Sequence, residues 1–207
     1  LEKSKFALDM TTAMNQFQGE IAALSEDVNA DVVKLKDIMS RVKTKLVGFK
    51  AQAAAMGFTD VVQRLDIPIE LLTVMDAEVE PLFEIADSDT LSAAIANERL
   101  AQFKLKLAPI RTKAQGLPVN PIFGDASTAL TKAFDGMEDA YESVVVNHEY
   151  VLLLGLFPKD FEPVSRSNLE NLLNNEFKPK TKILLEKALA WGLSKDWTDI
   201  SKHFEDT

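Results

Sequence analysis

His148 is the residue of this chain whose type is best suited to chemistry, because an imidazole titrates near neutral pH and binds metal ions. It lies in the segment NHEYV, where the positions four and five further on are Leu152 and Leu153, so the paired-histidine zinc helix is absent. A di-iron bundle helix carries a glutamate three residues before its histidine, and here that position is Val145. We therefore interpret His148 as a structural or surface residue, and we expect the other histidine, His203, to lie on the surface.

Nucleophilic and phosphate-binding chemistry also find no support in the sequence. Ser143 lies five residues before His148, whereas side chains on a helix face each other at spacings of three or four. The eight glycines are scattered and form no phosphate-binding loop. Without a cysteine, the chain has no thiolate nucleophile, disulfide or cysteine-ligated metal. The sequence therefore predicts a protein that is not an enzyme, with no catalytic residue, no metal site and no cofactor.

The charge of the chain bears on its partners. The 32 acidic side chains outnumber the 23 basic ones and give a formal charge of −9, which repels nucleic acid, so we expect no nucleic-acid partner. With 207 residues, of which 46% are hydrophobic, the chain can bury a sizeable core. It begins at Leu1 without a signal segment, which indicates a processed mature protein or an excised domain and leaves the compartment open.

The most apolar stretch of the chain lies between residues 141 and 161. Its uninterrupted apolar run, Tyr150–Phe157, has eight residues, well short of the ~20 that cross a bilayer, and a polar Asn-His-Glu triplet precedes it. We therefore predict no transmembrane span. Gly155 and Pro158 are typical of a buried helix that ends there.

The elements that position these residues are predicted to be helices, and the clearest signal lies in the first quarter of the chain. Apolar residues recur there every seven positions, which is typical of a coiled coil or of one side of a long bundle helix. We predict that this stripe binds partners through Met14, Ile21, Val28, Leu35, Val42 and Phe49.

Whether this stripe belongs to one helix or two is open from the sequence. No proline interrupts residues 6–56 and the heptad phase continues through the possible break, which together favour one continuous helix of roughly 75 Å at 1.5 Å per residue. The alternative is a hairpin that breaks within SEDVNAD, residues 25–31, because serine, aspartate and asparagine cap helix starts.

Shorter helices are predicted to follow, marked by glycine, proline and capping residues. Gly57 ends the first helix, and Thr59 caps a short helix running towards residue 66. Pro68 is predicted to start the next helix, and Pro81 to kink or restart it. Ser88 or Asp89 is predicted to cap a further helix that bends at residue 109 and ends at residue 116.

The second half of the chain is predicted to follow a Pro- and Gly-rich loop. This loop, 116–125, divides an N-terminal part, 1–115, from a C-terminal helical subdomain, 126–207, unless the whole chain is one continuous domain. Helices are expected over about 126–154, 167–177 and 180–191, the last ended by Gly192. A terminal helix carries Trp197, Ile200 and Phe204.

The predicted fold is all-α, with a long N-terminal amphipathic helix packed against a bundle of shorter helices, because no segment shows sustained strand alternation. The favoured function is a non-catalytic scaffold or accessory subunit of a larger assembly, which binds other chains or itself through its N-terminal helix. One alternative is a carrier of a lipid or another small apolar ligand in a bundle cavity. A third hypothesis is a membrane-active protein that uses Val144–Phe157.

Overall fold

The fold was determined as a computed structural model, which describes residues 2–26, 32–118, 126–157 and 165–193. The all-α class is confirmed, and the described residues contain no strand. In chain order the elements are α1 (Glu2–Glu26), α2 (Val32–Ala55), α3 (Thr59–Asp87), α4 (Ala93–Gln115), α5 (Ala126–Leu154), α6 (Arg166–Leu172), a π-helical turn (Leu173–Phe177) and α7 (Lys178–Ala190). The bounds predicted for α5 are therefore confirmed.

The favoured single helix over residues 6–56 is wrong, because α1 and α2 are two helices that pack against each other in opposite directions. The ring centroids of Phe6 and Phe49 are 5.7 Å apart, and Arg41 lies 2.7 Å from Glu20. In one continuous helix the two phenylalanines would be about 65 Å apart. Folding back lets the chain bury an apolar stripe that a projecting rod would expose to water.

The chain forms two compact units, each assembled from separate segments. The first unit comprises Leu1–Pro81 and Phe103–Phe134, and the second comprises Leu82–Gln102 and Asp135–Thr207. The core of the first unit includes side chains from α1, α2 and α3: Phe6, Ala13, Phe17, Ile38, Val42, Leu46, Phe49, Ala53, Val61 and Leu65. A cluster in the second unit contains Val146, Leu184, Ala188 and Leu193.

Glycines end α2 and α7, as the sequence predicts. Gly57 and Gly192 have φ values of 71° and 74°, in the left-handed region that suits glycine. After α2, the amide of Phe58 donates to the carbonyl of Ala53 at 2.9 Å, and the amide of Gly57 donates to that of Ala54 at 3.1 Å. This pair of bonds is the Schellman arrangement, which satisfies the last carbonyls of a helix. The same pattern closes α7 at Gly192.

The two helices expected on either side of Pro68 are a single helix, so the predicted break there is wrong. Pro68 and Pro81 both lie inside α3. Each proline removes one amide donor, which usually costs about 3 kcal/mol or more in a helix interior. Burial offsets this cost, because α3 places apolar side chains in the protein interior on both sides of Pro68 and on both sides of Pro81.

The cap predicted at Ser88 or Asp89 is also wrong, since α4 begins four residues later at Ala93. Ser92 caps it, with its hydroxyl accepting from the amide of Ile95 at 3.3 Å. The Ser88 hydroxyl instead accepts from the amide of Leu91 at 2.9 Å and closes a local turn.

Two buried charged side chains tie α3 to the second half of α4 within the first unit. Arg64 is 9% exposed and donates to the carbonyl of Pro118 just after α4. Glu78 is 5% exposed and accepts from Lys106, whose own side chain reaches solvent. The buried Glu78 carboxylate therefore has a charged partner that reduces the cost of its burial, whereas the Nε and Nη1 atoms of Arg64 are buried without a hydrogen-bond partner among the described residues.

The helices α6 and α7 are joined by the π-helical turn at Leu173–Phe177. Pro179 lies in the first turn of α7, and its missing amide leaves the carbonyl of Asn175 without an α-helical donor. A local widening to π-helix accommodates such a gap. The predicted break between residues 177 and 180 is therefore a continuous helical segment with one altered turn.

Two further predictions lie partly or wholly outside the described residues. Of the loop predicted at 116–125, the structure describes only 116–118, so a domain boundary there stays a prediction. The terminal helix with Trp197, Ile200 and Phe204 lies entirely beyond the described part of the chain.

Candidate functional site: the groove between the first two helices

A groove of about 520 Å³ runs along the seam between α1 and α2 in the first unit. It is open to solvent on one side rather than enclosed. We call it the α1–α2 groove, and it is lined by Ala13, Gln16, Phe17, Ser40, Arg41, Thr44, Lys45, Gly48, Phe49 and Gln52.

The floor and walls of the groove follow from the residues on each helix. Phe17 and Phe49 are 8% and 6% exposed, so both belong to the core of the first unit and also line the groove. Gly48 leaves room above them, since a Cβ added there would meet no atom within 4 Å. The groove therefore combines an aromatic floor with a space that this glycine leaves open.

The polar lining residues of α2 recur with the period of a helix. Ser40, Thr44 and Gly48 are spaced by four residues, so they share one face, and Gln52 continues that spacing. The Thr44 hydroxyl donates to the carbonyl of Ser40 at 2.9 Å, which satisfies it within its own helix. The α2 wall therefore consists of small or polar side chains, and its Thr44 hydroxyl already has a hydrogen-bond partner within the helix.

The two cations of the groove differ in what surrounds them. Arg41 is bound by two carboxylates, Asp37 at 2.9 Å and Glu20 at 2.7 Å, and these hydrogen bonds raise the pKa of its guanidinium. The Lys45 ammonium lies 5.7 Å from the centroid of the Phe49 ring. Among the side chains that the structure describes, no carboxylate pairs with Lys45. Lys45 is therefore the charge of the groove that is available to a ligand.

Other cations of α2 show that carboxylate pairing is common on this helix. Lys36 lies 2.7 Å from Glu80, and Lys50 pairs with Asp66. Hydrogen bonding to Glu80 raises the pKa of Lys36. Lys45 differs from these two lysines because it lies over an aromatic ring.

The predicted partner-binding stripe is described only in part. Leu35 is half-buried, whereas Val42 and Phe49 are each 6% exposed and belong to the first unit's own core. Three stripe residues lie outside what the structure describes, namely the side chains of Met14 and Ile21 and the whole of Val28. Of the stripe, Phe49 also lines the groove, and partner binding by the stripe stays a prediction.

His148 lies in the second unit, buried on α5 with 3% of its surface exposed. Its Nε2 atom is 2.8 Å from the carbonyl oxygen of Leu91, at the segment that precedes α4. A ring N–H that donates there fixes this segment against α5. Within the described residues, no group of three histidine, aspartate or glutamate side chains is placed to hold a metal ion.

Next to His148, a polar cluster joins three helices of the second unit. Lys187 of α7 donates to Glu149 of α5 and, at 2.6 Å, to the side-chain oxygen of Asn97 of α4. The amide of Asn97 donates to the same Glu149 carboxylate at 2.6 Å. The Lys187 ammonium also lies 4.6 Å from the Trp191 ring centroid. These groups are used in packing the helices together, which gives the cluster a structural role.

Replacing Lys187 by methionine is expected to lower the free energy of unfolding by about 1–3 kcal/mol, because Glu149 and Asn97 lose their shared donor. The Glu149 side chain is only 18% exposed, so water replaces the ammonium poorly. Urea denaturation followed by circular dichroism measures the effect. Lys182→Met, at an exposed position of the same helix, should stay within about 0.5 kcal/mol of wild type.

A double variant separates charge from packing at this cluster. Adding Glu149→Gln to Lys187→Met removes the unpaired carboxylate, so part of the lost stability should return. If the double variant loses more stability than the two single variants lose in total, Lys187 and Glu149 do not form the ion pair assigned here.

In comparisons with known proteins, no family model, no curated protein and no solved structure matches this chain. Within the described ranges, no helix combines the length and the apolarity that crossing a membrane requires. The residues and geometry of the α1–α2 groove are therefore the basis for a functional proposal.

Proposed function

We propose that this protein is a non-catalytic helical scaffold or accessory subunit that binds another protein chain, with the α1–α2 groove as the contact surface. The observation that carries the proposal is the groove itself, an open channel of about 520 Å³ with two phenylalanines in its floor. Grooves between helices with an apolar floor and a polar rim are a common way for proteins to bind a helix of a partner.

The lining favours a protein partner over a small apolar ligand. Carriers of apolar molecules enclose most of the ligand surface in a cavity with few polar groups. The α1–α2 groove is open, and its rim includes Gln16, Ser40, Thr44 and Gln52. These neutral polar side chains suit the rim of a protein interface, where contacts with water and with partner side chains are both satisfied.

A site-specific photo-crosslinker tests the proposal. A photoreactive phenylalanine analogue at Gln52, an exposed position of the groove, is introduced into the full chain produced in its own source. We expect irradiation to link one protein species at high yield, identified by mass spectrometry. The same analogue at Lys182, exposed in the second unit, should not link that species.

Two glycine substitutions sharpen the test. A Cβ added at Gly48 would meet no atom within 4 Å, so Gly48→Leu can place its side chain in the groove, and it should abolish the crosslink at Gln52 while leaving the protein folded. Gly19→Leu is the matched control, because Gly19 is also a helical glycine with open space around it but does not line the groove. Equal crosslinking in both variants, or no linked protein in the wild type, would reject the α1–α2 groove as the contact surface.

A further inference from the structure

We propose that the element bound in the α1–α2 groove is an amphipathic helix of the partner that places a carboxylate against Lys45. This inference rests on the proposed function and adds the chemical class of the partner segment. It depends on two separate observations, the dimensions of the groove and the distribution of charge within it.

The dimensions match a helix. The wall that α2 contributes extends from Ser40 to Gln52, about 18 Å along the helix axis at 1.5 Å per residue. This length corresponds to rather more than three helical turns. A third helix lying over the seam of two others packs with its axis about 8–10 Å from each, and small residues at the contact permit the closer distances. Ala13, Ser40 and Gly48 are the small residues at this contact.

The apolar face of the bound helix has a defined place. The rings of Phe17 and Phe49 form the floor, so apolar side chains spaced by three and four residues would cover them. Phe17 and Phe49 are 8% and 6% exposed and belong to the core of the first unit, so packing holds both rings in place. The floor is therefore preorganised, which limits the entropy lost on binding.

The charge of the groove defines the polar side of the helix. Arg41 is already bound by Asp37 and Glu20, which leaves Lys45 as the lining cation that lacks a carboxylate among the described side chains. No aspartate or glutamate belongs to the groove lining. A partner carboxylate at Lys45 would be attracted, whereas a partner lysine would be repelled. The chain as a whole has a formal charge of −9 and therefore favours basic partners. The groove differs from the rest of the chain because Lys45 favours an acidic partner there.

The experiment uses two designed peptides as probes. Each is a fluorescein-labelled amphipathic helix of about four turns with leucine and alanine on one face. One carries glutamates beside that face, and the other carries lysines at the same positions. Binding to the full-length protein is measured by fluorescence anisotropy at low and high salt. We expect the glutamate peptide to bind at least about fivefold more tightly at low salt, with the difference shrinking as salt is added.

Reversing the charge of Lys45 tests whether this side chain causes the preference for the glutamate peptide. Lys45→Glu should weaken binding of the glutamate peptide about fivefold or more and strengthen binding of the lysine peptide. Lys182→Glu makes the same change in net charge at an exposed site in the second unit and should leave both affinities within twofold. Circular dichroism confirms that both variants are folded.

Several outcomes would overturn the inference. These are equal affinity for the two peptides, no binding of either peptide up to about 1 mM, and equal effects of the two charge reversals. Displacement of the peptide by micromolar oleate with stoichiometric uptake would assign the groove to a carboxylate amphiphile instead. A groove-dependent dimer in sedimentation, lost in Gly48→Leu, would assign it to a second copy of this chain.

Failure of this inference can be separated from failure of the proposed function. A protein crosslinked at Gln52 whose linked segment is basic or is not helical would retain the scaffold and reject the acidic helix. Absence of any crosslinked protein, with the glutamate peptide still bound through Lys45, would retain the chemistry of the groove and reject the scaffold.

Discussion

Replacing Phe49 by alanine is expected to lower the free energy of unfolding by about 3–5 kcal/mol, one of the two largest effects we predict. The ring is 6% exposed and packs in the core that α1, α2 and α3 share. It meets the Phe6 ring edge-on, with centroids 5.7 Å apart and planes at 85°, a geometry that stabilises aromatic pairs beyond their burial. Truncation removes this contact and leaves a cavity between the first two helices.

Val47→Ala is the matched control for this prediction. Val47 lies on the same helix two residues earlier and is 48% exposed, so its truncation leaves no cavity. We expect the stability of this variant to stay within about 0.5 kcal/mol of wild type. Urea denaturation followed by circular dichroism gives both free energies of unfolding. The slope of that free energy against urea concentration shows whether a variant exposes a different amount of surface on unfolding. A Val47 variant as unstable as the Phe49 variant would mean that α2 presents a different face to α1.

The same residues show what the heptad pattern could predict. The seven-residue spacing identified Val42 and Phe49 as positions that must be covered by apolar surface, and both are buried. It could not distinguish a partner chain from the chain's own next helix, because the two arrangements bury the same positions of α2. The unbroken heptad phase and the absence of proline both favour a rod over a hairpin, and that prediction is wrong.

Local signals predicted helix ends well where the backbone itself limits the choice. Gly57 and Gly192 end helices because they adopt positive φ, a constraint that acts within a few residues. Pro68 gave an equally clear local signal for a helix start, and Pro81 for a kink or restart, yet α3 continues through both residues. Burial of apolar residues along α3 outweighs the lost hydrogen bonds, and no short segment of sequence contains that information.

The groove could not be identified from the sequence for a related reason. Ser40, Thr44 and Gly48 are small or polar residues of the kind found on any exposed helix surface. They line a groove only because α1 folds back beside them. Likewise, the difference between Lys45 and Lys36 depends on Glu80, which is 44 residues from Lys36 in sequence and comes close to it only in the folded chain.

The second large effect is expected at Leu184, where substitution by alanine should lower the free energy of unfolding by about 2–5 kcal/mol. Leu184 is 3% exposed and packs with Val146, Ala188 and Leu193 in the second unit. The measurement is again urea denaturation followed by circular dichroism.

Ile183→Ala provides a control that differs from Leu184→Ala almost only in burial. The two side chains are adjacent in sequence, have the same number of carbon atoms and lie on the same helix, but Ile183 is 66% exposed. Consecutive residues on a helix point about 100° apart, so only one of them can face the core here. We expect Ile183→Ala to change stability by less than about 1 kcal/mol, because truncation of an exposed side chain leaves no cavity and alanine favours the helix. Comparable losses of stability in the two variants would mean that α7 is rotated about its axis from the arrangement described. Lys187, on the same helix, would then not contact Glu149 and Asn97.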